Sequence, residues 1–480
     1  MTDKTTGLFS DYIAGRISRR ELMTRAGKLG LGAAAIGTML GGAQTRAMAA
    51  NFDWQKEKGK AIKLLLNKHP YTNSLLMQIE NFKALTGLAV TWDIFPEDVY
   101  FDKVTTALSS KSTGYDAFMT GAYQTWQYGP AGWLVDLNEF IKDSAATSPD
   151  WNVGDILPGL LHSDAWSGVP GEPLGGPNAK QWALPWGFEL NSIAYNKRMF
   201  DQAKIEPPKN LPDLIEKAVK VQTDVKGIYG VGVRGSRSWA TIHPGYLSGL
   251  TSYGGADFTV ENGKLKSAVN SPQCKAFTKL WVDMIQKAGP KNWTNYTWYE
   301  VGSDLGAGTS AMIFDADILG FFQQSGDTKE KGNIGFEGFA ANPDKKEPTP
   351  NVWIWSLAIN AASNNKSAAW LFLQWAAATQ QCLFAATKAD LVDPVRQSVW
   401  DDKGFQTRLN DKFAGYLEQY KASAPGSKIY FTPQPLFFNL TTDWAASLQK
   451  MYAKEVGVDE GLDQLAENVM KQLTDAGIAQ

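Results

Sequence analysis

From residue 61 to residue 119 the chain alternates between short apolar runs and segments with the spacing of an amphipathic helix. Buried strands are predicted at 61–66, 88–94 and 115–119, with helices at 72–85 and 100–109. Strands that alternate with helices in this way pair in parallel, which predicts an α/β domain. Ligands bind beyond the carboxyl ends of such strands, so residues 67–71 and 120–124 are candidate binding loops.

After a loop-rich stretch at 141–182, the same two kinds of segment continue towards the end of the chain. Further strands are predicted at 183–186, 192–196, 228–233, 311–314, 334–336 and 353–360, and further helices at 197–203, 211–221, 272–288 and 367–378. Helices dominate beyond residue 405. A chain of 480 residues is too long for one ordinary core, so two domains are predicted.

The first 49 residues have the order of regions found in a secretory signal. Arg19-Arg20 is a twin-arginine pair, a mildly apolar stretch follows, and Ala47-Met48-Ala49 supplies the small residues of a cleavage site. A twin-arginine pair in such a segment is typical of the Tat route, which exports folded proteins. The apolar stretch is too short to span a bilayer, and no cysteine precedes Cys274 to carry a lipid. We therefore expect residues 1–49 to be cleaved near Ala49 and the mature chain to be free in a bacterial periplasm.

Charge and composition argue against several classes of function. Removing residues 1–49 leaves 40 basic and 46 acidic residues, a formal charge of −6, whereas nucleic-acid binding favours a basic surface. With three histidines and two cysteines, a zinc, haem or iron–sulfur centre is poorly supplied with ligands, and no Asp-rich loop with EF-hand spacing is present, which leaves carboxylate-only calcium sites as the alternative. We therefore expect no cofactor, no metal, no nucleic-acid partner and no membrane insertion. Whether Cys274 and Cys382 form a disulfide is left open by the sequence.

Three blocks of sequence resemble segments of the sugar-binding proteins typified by maltose-binding protein. Residues 184–197 (LPWGFELNSIAYNK) resemble the strand by which that family crosses from its first lobe to its second. Residues 356–366 (SLAINAASNNK) resemble the returning strand, and residues 308–312 (GTSAM) resemble a segment between the two. The blocks occur in the order that the family has, and Tyr115-Asp116 resembles its first-lobe loop.

The resemblance implies a two-lobe periplasmic binding protein fold, with a mixed, mostly parallel sheet flanked by helices in each lobe. The first lobe would comprise residues 51–185 plus 357–388, and the second would comprise residues 190–353 plus 393–480. Such a protein is not an enzyme. It captures a sugar, glycoside or polyol in the cleft by closure of the lobes and delivers it, as a monomer, to the inner-membrane permease of an ABC importer.

The chain departs from maltose-binding protein at positions that bear on the ligand. Thr120 and Tyr123 stand near the places of a tryptophan and an aspartate, and residues 315–318 replace a Gly-Pro-Trp segment. These differences argue against maltodextrin as the ligand. They favour a different ligand, which could be smaller than maltodextrin.

Sugars and polyols present C–H faces as well as hydroxyl groups, so their sites need aromatic platforms and fixed polar groups. The chain has 18 tryptophans, and we expect most of them in the core. Trp186, Trp353 and Trp355 differ in lying on the inferred crossing segments. Because Trp353 and Trp355 are two residues apart on a strand, they face the same side.

Charged residues near the inferred cleft are candidate partners for hydroxyl groups. Glu189 lies on the crossing strand, Arg234 and the pair Asp315 and Asp317 follow strand ends, and Arg396 follows the inferred third crossing. The alternatives are surface salt bridges for the arginines and helix capping for the aspartates.

Loop residues complete the set of candidate ligand-binding residues. The loop after the first strand supplies Asn67, His69 and Tyr71, and the loop after the third supplies Tyr123 and Gln124. His243 precedes a proline, as His69 does, and for both histidines an ordinary loop turn is the alternative.

An exported hydrolase or lyase acting on glycans is the alternative function, together with a binding protein for a non-carbohydrate solute. A glycan hydrolase needs two carboxylates that flank the scissile bond. Asp315 and Asp317 are too close along one strand end to do this unaided, although Glu189 could partner either. The sequence has no G-x-S-x-G nucleophile motif, and no catalytic residue is predicted.

Overall fold

The computed structural model describes residues 24–25, 52–389 and 391–480. The predicted signal peptide, with its twin-arginine pair and cleavage site, lies outside the described residues except for Thr24 and Arg25.

Strands and helices alternate along the described chain. The strands are β1 (Ala61–Asn67), β2 (Ala89–Phe95), β3 (Ala117–Gly121), β4 (Ala165–Trp166), β5 (Lys180–Gln181), β6 (Leu184–Asn196), β7 (Tyr229–Gly232), β8 (Phe258–Glu261), β9 (Lys264–Ser267), β10 (Ser310–Ala316), β11 (Ile334–Glu337) and β12 (Val352–Ile359). The helices of the first half are α1 (Pro70–Leu76), α2 (Ile79–Thr86), α3 (Glu97–Ser109), α4 (Ala122–Tyr128), α5 (Asn138–Ile141), α6 (Pro158–Ser163), α7 (Lys197–Ala203), α8 (Leu211–Asp224) and α9 (Gly245–Ser252). Those of the second half are α10 (Pro272–Ala288), α11 (Trp298–Ala307), α12 (Asp317–Ser325), α13 (Lys366–Ala376), α14 (Thr379–Lys388), α15 (Gln397–Trp400), α16 (Lys403–Lys412), α17 (Tyr416–Ser423), α18 (Phe437–Tyr452) and α19 (Val458–Asp475).

Among the described residues, eight strands form a mixed sheet in the order β2-β1-β3-β12-β6-β10-β7, with β11 also paired to β6. The first three strands pair in parallel, as the alternation of strands and helices predicts. β12 returns from the far part of the chain and is antiparallel to both β3 and β6, so the sheet is more mixed than the sequence indicates.

One long strand, β6, joins the two halves of this sheet. Its first part, from Leu184 to Leu190, pairs with β12, and its second part, from Asn191 to Asn196, pairs with β10 and β11. We refer to β2, β1, β3 and β12 with their helices as the first lobe, and to β11, β10 and β7 with theirs as the second. The exact residue limits of each lobe stay a prediction.

The single helix predicted at 72–85 is wrong, since the structure has two helices there, α1 and α2. α1 begins earlier because Pro70 suits a first helical turn and the His69 ring accepts a hydrogen bond from the Tyr71 backbone N–H. The chain leaves the helical conformation at Gln78. The break lets α1 pack against α14 while α2 packs against α13.

The third strand begins at Ala117, two residues later than predicted. Just before it, the Asp116 carboxylate accepts hydrogen bonds from the Lys63 backbone N–H, the Ser363 hydroxyl and the Asn365 amide. These bonds join the start of β1 to the loop that follows β12.

Several predicted properties of the chain can be compared with the described residues. Cys274 and Cys382 are both buried and unpaired. No helix in the described ranges is both long and apolar enough to cross a bilayer. The same ranges contain no group of three or more His, Cys, Asp or Glu side chains placed to hold a metal ion.

Candidate functional site

A cavity of about 320 Å³ lies between the two lobes, beside the paired strand positions Glu189 and Trp353. Its lining residues are His69, Glu97, Glu189, Arg234, Trp239, His243, Trp298, Ile318, Leu319, Trp353 and Trp355. Both lobes contribute, since His69 follows β1 whereas Arg234 follows β7. The carboxyl ends of strands therefore meet here, as the parallel-sheet rule predicts.

Aromatic rings form much of the cavity wall. Trp353 and Trp355 lie on the same side of β12 with ring centroids 5.1 Å apart and nearly perpendicular planes. His69 lies 4.8 Å from the Trp355 ring, and Trp239 lies 5.3 Å from the Trp353 ring. These rings provide the apolar platforms that a C–H surface requires.

The indole of Trp353 can occupy this position because β3 ends in a glycine. A Cβ atom at Gly121 would come within 2.5 Å of the Trp353 ring and within 2.6 Å of Gln124 Oε1. Gly121 has an ordinary φ of −114°, so close approach of the indole, not backbone strain, requires glycine here.

Rings from the two lobes also meet above the cavity. Phe101 of α3 contacts Trp239 at 5.7 Å between centroids, and His69 contacts Trp298 at 6.2 Å. A wider space of about 1430 Å³ lies outside these contacts and shares Glu97 and Arg234 with the cavity. The lobes are therefore closed over the cavity, with a mouth at one side.

A buried ion pair lies in the second-lobe wall. Arg234 donates to both oxygens of Asp315, with its Nη2 2.7 Å from Oδ1 and its Nε 3.0 Å from Oδ2. Its Nη1 donates to the Ala240 carbonyl at 3.1 Å and to His243 Nε2 at 3.3 Å. Burial acts to lower the pKa of Arg234, but the charge of Asp315 outweighs it and the pKa lies above its usual value. The guanidinium is thus charged, fixed in orientation and already neutralised.

Glu189 supplies a carboxyl group with unusual acidity. Its Oε1 accepts a 2.7 Å hydrogen bond from Trp355 Nε1. Burial raises the pKa of Glu189 to about 8, and the opposing effects of Arg234 and of the Trp355 hydrogen bond do not offset it. The group is therefore mostly protonated at neutral pH and offers both a donor and an acceptor.

Both cavity histidines are buried and neutral. Burial lowers the pKa of His69 to about 3. Burial and the neighbouring charge of Arg234 hold the pKa of His243 well below its usual value. Neither side chain adds positive charge to the cavity near neutral pH.

Two further carboxyl groups lie behind the cavity. Asp317, at the start of α12, accepts hydrogen bonds from the backbone N–H groups of Leu190 and Ile318. Asp393 accepts a 2.9 Å hydrogen bond from the Tyr416 hydroxyl. Burial raises the pKa of Asp317 to about 7, and burial with the charge of Asp317 raises the pKa of Asp393 well above its usual value. Asp317 does not line the cavity, but it fixes β6 to the helix that supplies Ile318 and Leu319.

Other sequence candidates lie next to the cavity. Tyr71 and Trp186 line a neighbouring space of about 350 Å³ that also contacts Cys382. The Tyr71 hydroxyl donates to the carbonyls of Phe188 and Val392, which ties β6 to the segment before Asp393. Tyr71 therefore holds the crossing strand in place from the first lobe.

Three more candidates are buried beside the site but outside its lining. Tyr123 donates to the Val352 carbonyl and stacks on Phe437 at 4.5 Å. The side-chain amides of Asn67 and Gln124 are buried and make no hydrogen bond to the described residues.

Arg396 does not line the cavity. It is fully buried, and it donates to the carbonyls of Ala377 and Asn152 and forms a longer ion pair with Asp155. These contacts give it a structural role.

The cavity also contains residues that the sequence reasoning missed. Glu97 follows β2 directly, so the rule that selected the ends of the first and third strands could have found it. Trp239 lies five residues after Arg234 in the segment that follows β7. The rule that ligands bind beyond the carboxyl ends of strands therefore also points to Trp239. Trp298 begins α11, and no sequence signal connects it to the site.

Comparison with known proteins identifies relatives of the chain. A family model described as bacterial extracellular solute-binding protein matches residues 53–381. The erythritol/L-threitol-binding protein of Mycolicibacterium smegmatis is 40% identical over 448 residues, which cover 91% of this chain and 93% of that protein. The mannitol-binding protein of Pseudomonas aeruginosa is 24% identical over 293 residues, which cover 60% and 62% of the two chains.

Solved structures share the same architecture. An ABC transporter solute-binding protein from Agrobacterium vitis, with bound D-mannitol, has a TM-score of 0.73 at 22% identity and covers 88% of this chain and 100% of that one. A solute-binding protein from Agrobacterium radiobacter, in complex with ribitol, has a TM-score of 0.73 at 21% identity and covers 86% and 99%. At these identities the likeness concerns the two-lobe fold alone.

Proposed function

The chain belongs to the bacterial extracellular solute-binding protein family, and we propose that it captures a short linear polyol in the cavity between its lobes. Proteins of this family are the solute-binding components of ABC transporters and are not enzymes. The observation that carries the proposal is a small cavity that is lined by aromatic side chains and whose guanidinium group, Arg234, already forms an ion pair with Asp315. The name of the relative at 40% identity, which binds erythritol and L-threitol, supports the same class of ligand.

The charges of the cavity favour an uncharged ligand. Among the lining residues that the structure describes, Arg234 is the cation, and Asp315 neutralises it with two hydrogen bonds. An acid or a phosphate ester would have to compete with that carboxylate for the guanidinium. Alcohol groups avoid this cost, because each hydroxyl can both donate to Glu189 or Glu97 and accept from a neighbouring N–H group.

The size of the cavity favours a short ligand. The space of about 320 Å³ includes a part that is open to solvent, so the enclosed room is smaller and suits only a compact ligand. An oligosaccharide would need an open groove, whereas here Phe101 and Trp239 meet above the cavity. Trp353 and Trp355 can cover the C–H edges of a short carbon chain while the polar groups bind its hydroxyls.

Closure of the lobes would couple binding to transport. Glu189 and Trp355 contact the ligand from strands shared with the first lobe, and Arg234 and His243 approach it from the second. A ligand that touches both walls favours the closed arrangement over the open one, because it gains its full set of contacts only when the lobes meet. The closed shape is then the form that a membrane permease recognises.

The N-terminal sequence supports a location for this activity. We propose export by the Tat route, cleavage near Ala49 and release into the periplasm as a monomer, without a nucleic-acid partner. The twin-arginine pair Arg19-Arg20 and the small residues before the cleavage site support this proposal.

The test is a calorimetric titration of residues 50–480 after unfolding and refolding to remove any bound solute. The four-carbon isomers erythritol and L-threitol, then ribitol, D-mannitol and maltose, cover increasing sizes, and erythronate provides an anionic four-carbon compound. We expect the tightest binding from a four- or five-carbon polyol, weaker binding of D-mannitol, and none of maltose or erythronate. Erythronate binding more tightly than erythritol, or no binding of any polyol, would refute the proposal.

Two tryptophan variants separate the proposed site from the neighbouring space. Trp353→Ala removes a wall of the cavity, and we expect binding to be lost. Trp186→Phe is the matched control, because Trp186 also lies on a crossing strand but lines the space beside Tyr71. Its affinity for the best polyol should stay within a few-fold of the wild-type value.

A further inference from the structure

The ring of His243 is fixed in one neutral tautomer by its neighbour. Arg234 Nη1 lies 3.3 Å from His243 Nε2, and a guanidinium nitrogen can only donate. Nε2 must therefore be the acceptor, and in a neutral imidazole the proton then lies on Nδ1. His243 Nδ1 is buried and has no hydrogen-bond partner among the described residues, although the side chain lines the cavity.

His69, from the first lobe, is fixed in the opposite tautomer. Its Nδ1 accepts a 3.3 Å hydrogen bond from the backbone N–H of Tyr71, at the start of α1. The proton of a neutral ring is then on Nε2, and this atom makes no hydrogen bond to the described residues. The ring lies between Tyr71, on which it stacks at 5.2 Å, and Trp355 at 4.8 Å.

We propose that His69 and His243 are held as opposite neutral tautomers, one in each wall, and that both donate hydrogen bonds to oxygen atoms of one bound polyol. The donors are His69 Nε2–H and His243 Nδ1–H. This inference rests on the proposed function and names two side chains that determine its ligand specificity. His243 Nδ1 is a buried donor without a partner among the described residues, which is costly, and a ligand oxygen between the lobes removes that cost.

The histidine pair also selects among neutral and cationic ligands. Glu97 and Glu189 alone would accept hydrogen bonds from an ammonium group as readily as from a hydroxyl. A protonated amine has no lone pair, so it cannot accept from either histidine. An ammonium group placed against either histidine would therefore lose a hydrogen bond that a hydroxyl makes there.

The tautomers can be measured directly, because the chain contains three histidines. Long-range ¹H–¹⁵N correlation spectra of ¹⁵N-histidine-labelled protein distinguish Nδ1–H from Nε2–H. We expect the Nε2–H form for His69 and the Nδ1–H form for His243 in unliganded protein at pH 8, where a histidine is neutral even when the lobes open. Saturating erythritol should shift both N–H signals and leave exposed His162 unchanged.

Four substitutions test the same assignment through affinity for erythritol, because the amide of asparagine replaces Nδ1 and that of glutamine replaces Nε2. His243→Asn keeps a donor at the proposed position and should bind within a few-fold of wild type, whereas His243→Gln should lose at least tenfold. At His69, in the opposite wall, the expected order of affinities is reversed. His69→Gln should bind better than His69→Asn, even though asparagine preserves the cap of α1 and is the more stable variant.

The outcomes separate this inference from the proposed function. Failure of every polyol to bind wild-type protein refutes the proposed function and the ligand contacts inferred here. If erythritol binds but His243 carries its proton on Nε2, or if asparagine and glutamine show the same preference at both positions, the inference fails while the proposed function stands.

Discussion

Trp355 Nε1 donates a 2.7 Å hydrogen bond to Glu189 Oε1, so neighbouring strands of the crossing region are joined by side chains at the cavity wall. The bond fixes which oxygen of Glu189 faces the indole. The other oxygen carries the proton when the group is neutral, and that proton is available to a ligand hydroxyl.

Glu189 should therefore make ligand affinity depend on pH. Its pKa of about 8 leaves it mostly protonated at pH 7, and a bound polyol would favour the protonated form further. We expect affinity for erythritol to fall as the pH rises through 8, by about tenfold between pH 7 and pH 9 if only the protonated form binds. Calorimetry across this range measures the effect.

Glu189→Gln is the matched variant for this prediction. Glutamine keeps an acceptor for Trp355 and a donor for the ligand, but it does not ionise. We expect affinity within a few-fold of wild type at pH 7 and a flat profile up to pH 9. A variant that keeps the wild-type pH profile would assign the ionisation to another group.

The ion pair between Arg234 and Asp315 should stabilise the fold as a unit. Arg234→Met leaves the buried carboxylate of Asp315 without its partner, which typically costs about 3–5 kcal/mol. We expect the double variant Arg234→Met/Asp315→Leu to regain most of that stability without regaining erythritol binding. Urea unfolding and calorimetry measure the two properties separately.

Arg396→Met is the control for these variants. Arg396 is as deeply buried as Arg234 but bonds to first-lobe carbonyls and does not line the cavity. The substitution should lower stability and leave the affinity of the folded protein unchanged. If the variant were as stable as the wild-type protein but bound erythritol more weakly, Arg396 would instead belong to the ligand site.

Gly121→Ala should weaken binding through Trp353. The added methyl group would lie within 2.5 Å of the indole, which must move out of the cavity wall. We expect a loss of affinity for erythritol of at least tenfold, equivalent to about 1.4 kcal/mol. Gly457→Ala is the matched control, since no atom lies within 4 Å of a Cβ there and its φ of −69° suits alanine.

Buried carboxyl groups should make the protein less stable as the pH rises from 7 to 8.5. Burial raises the pKa of Asp164 and Asp317 to about 7 and that of Glu189 to about 8, and burial with the charge of Asp317 holds the pKa of Asp393 well above its usual value. In this range the folded state binds more protons than the unfolded state, so the free energy of unfolding falls with pH. Histidines contribute little, because above pH 7 they are mostly neutral in both states.

We expect a loss on the order of 1–3 kcal/mol over this interval, measured by urea unfolding at each pH. Asp393→Asn should reduce the slope, and asparagine tolerates the φ of +56° at this position. A slope that is unchanged in this variant, or a wild-type stability that rises with pH, would contradict the assignment.

The parts of the site that the sequence predicts are those set by local geometry. Trp353 and Trp355 share a face because side chains alternate along a strand, and the structure places both in the cavity wall. His69 is predicted to contact ligand because it follows β1, and it does line the cavity. For both positions the argument needed only the type and direction of one strand.

The remaining parts depend on how distant segments meet. Nothing near Trp298 in the sequence shows that α11 faces His69 across the cleft. Arg396 carries a positive charge and follows the inferred third crossing in sequence, as a cleft residue would. In the structure, however, it donates to the backbone carbonyls of Asn152 and Ala377. The sequence alone does not distinguish Arg396 from Arg234, because tertiary packing decides which groups surround each buried guanidinium.

The position of β12 determines when the fold can form during synthesis. Tyr123, just beyond β3, donates to the carbonyl of Val352, which lies 229 residues further along the chain. Most of the second lobe is made between these two residues, so the ribosome must pass β12 before the first lobe has all of its strands. Such non-local pairing is slow to form, and completion of the first lobe is therefore a late event that requires the polypeptide up to β12.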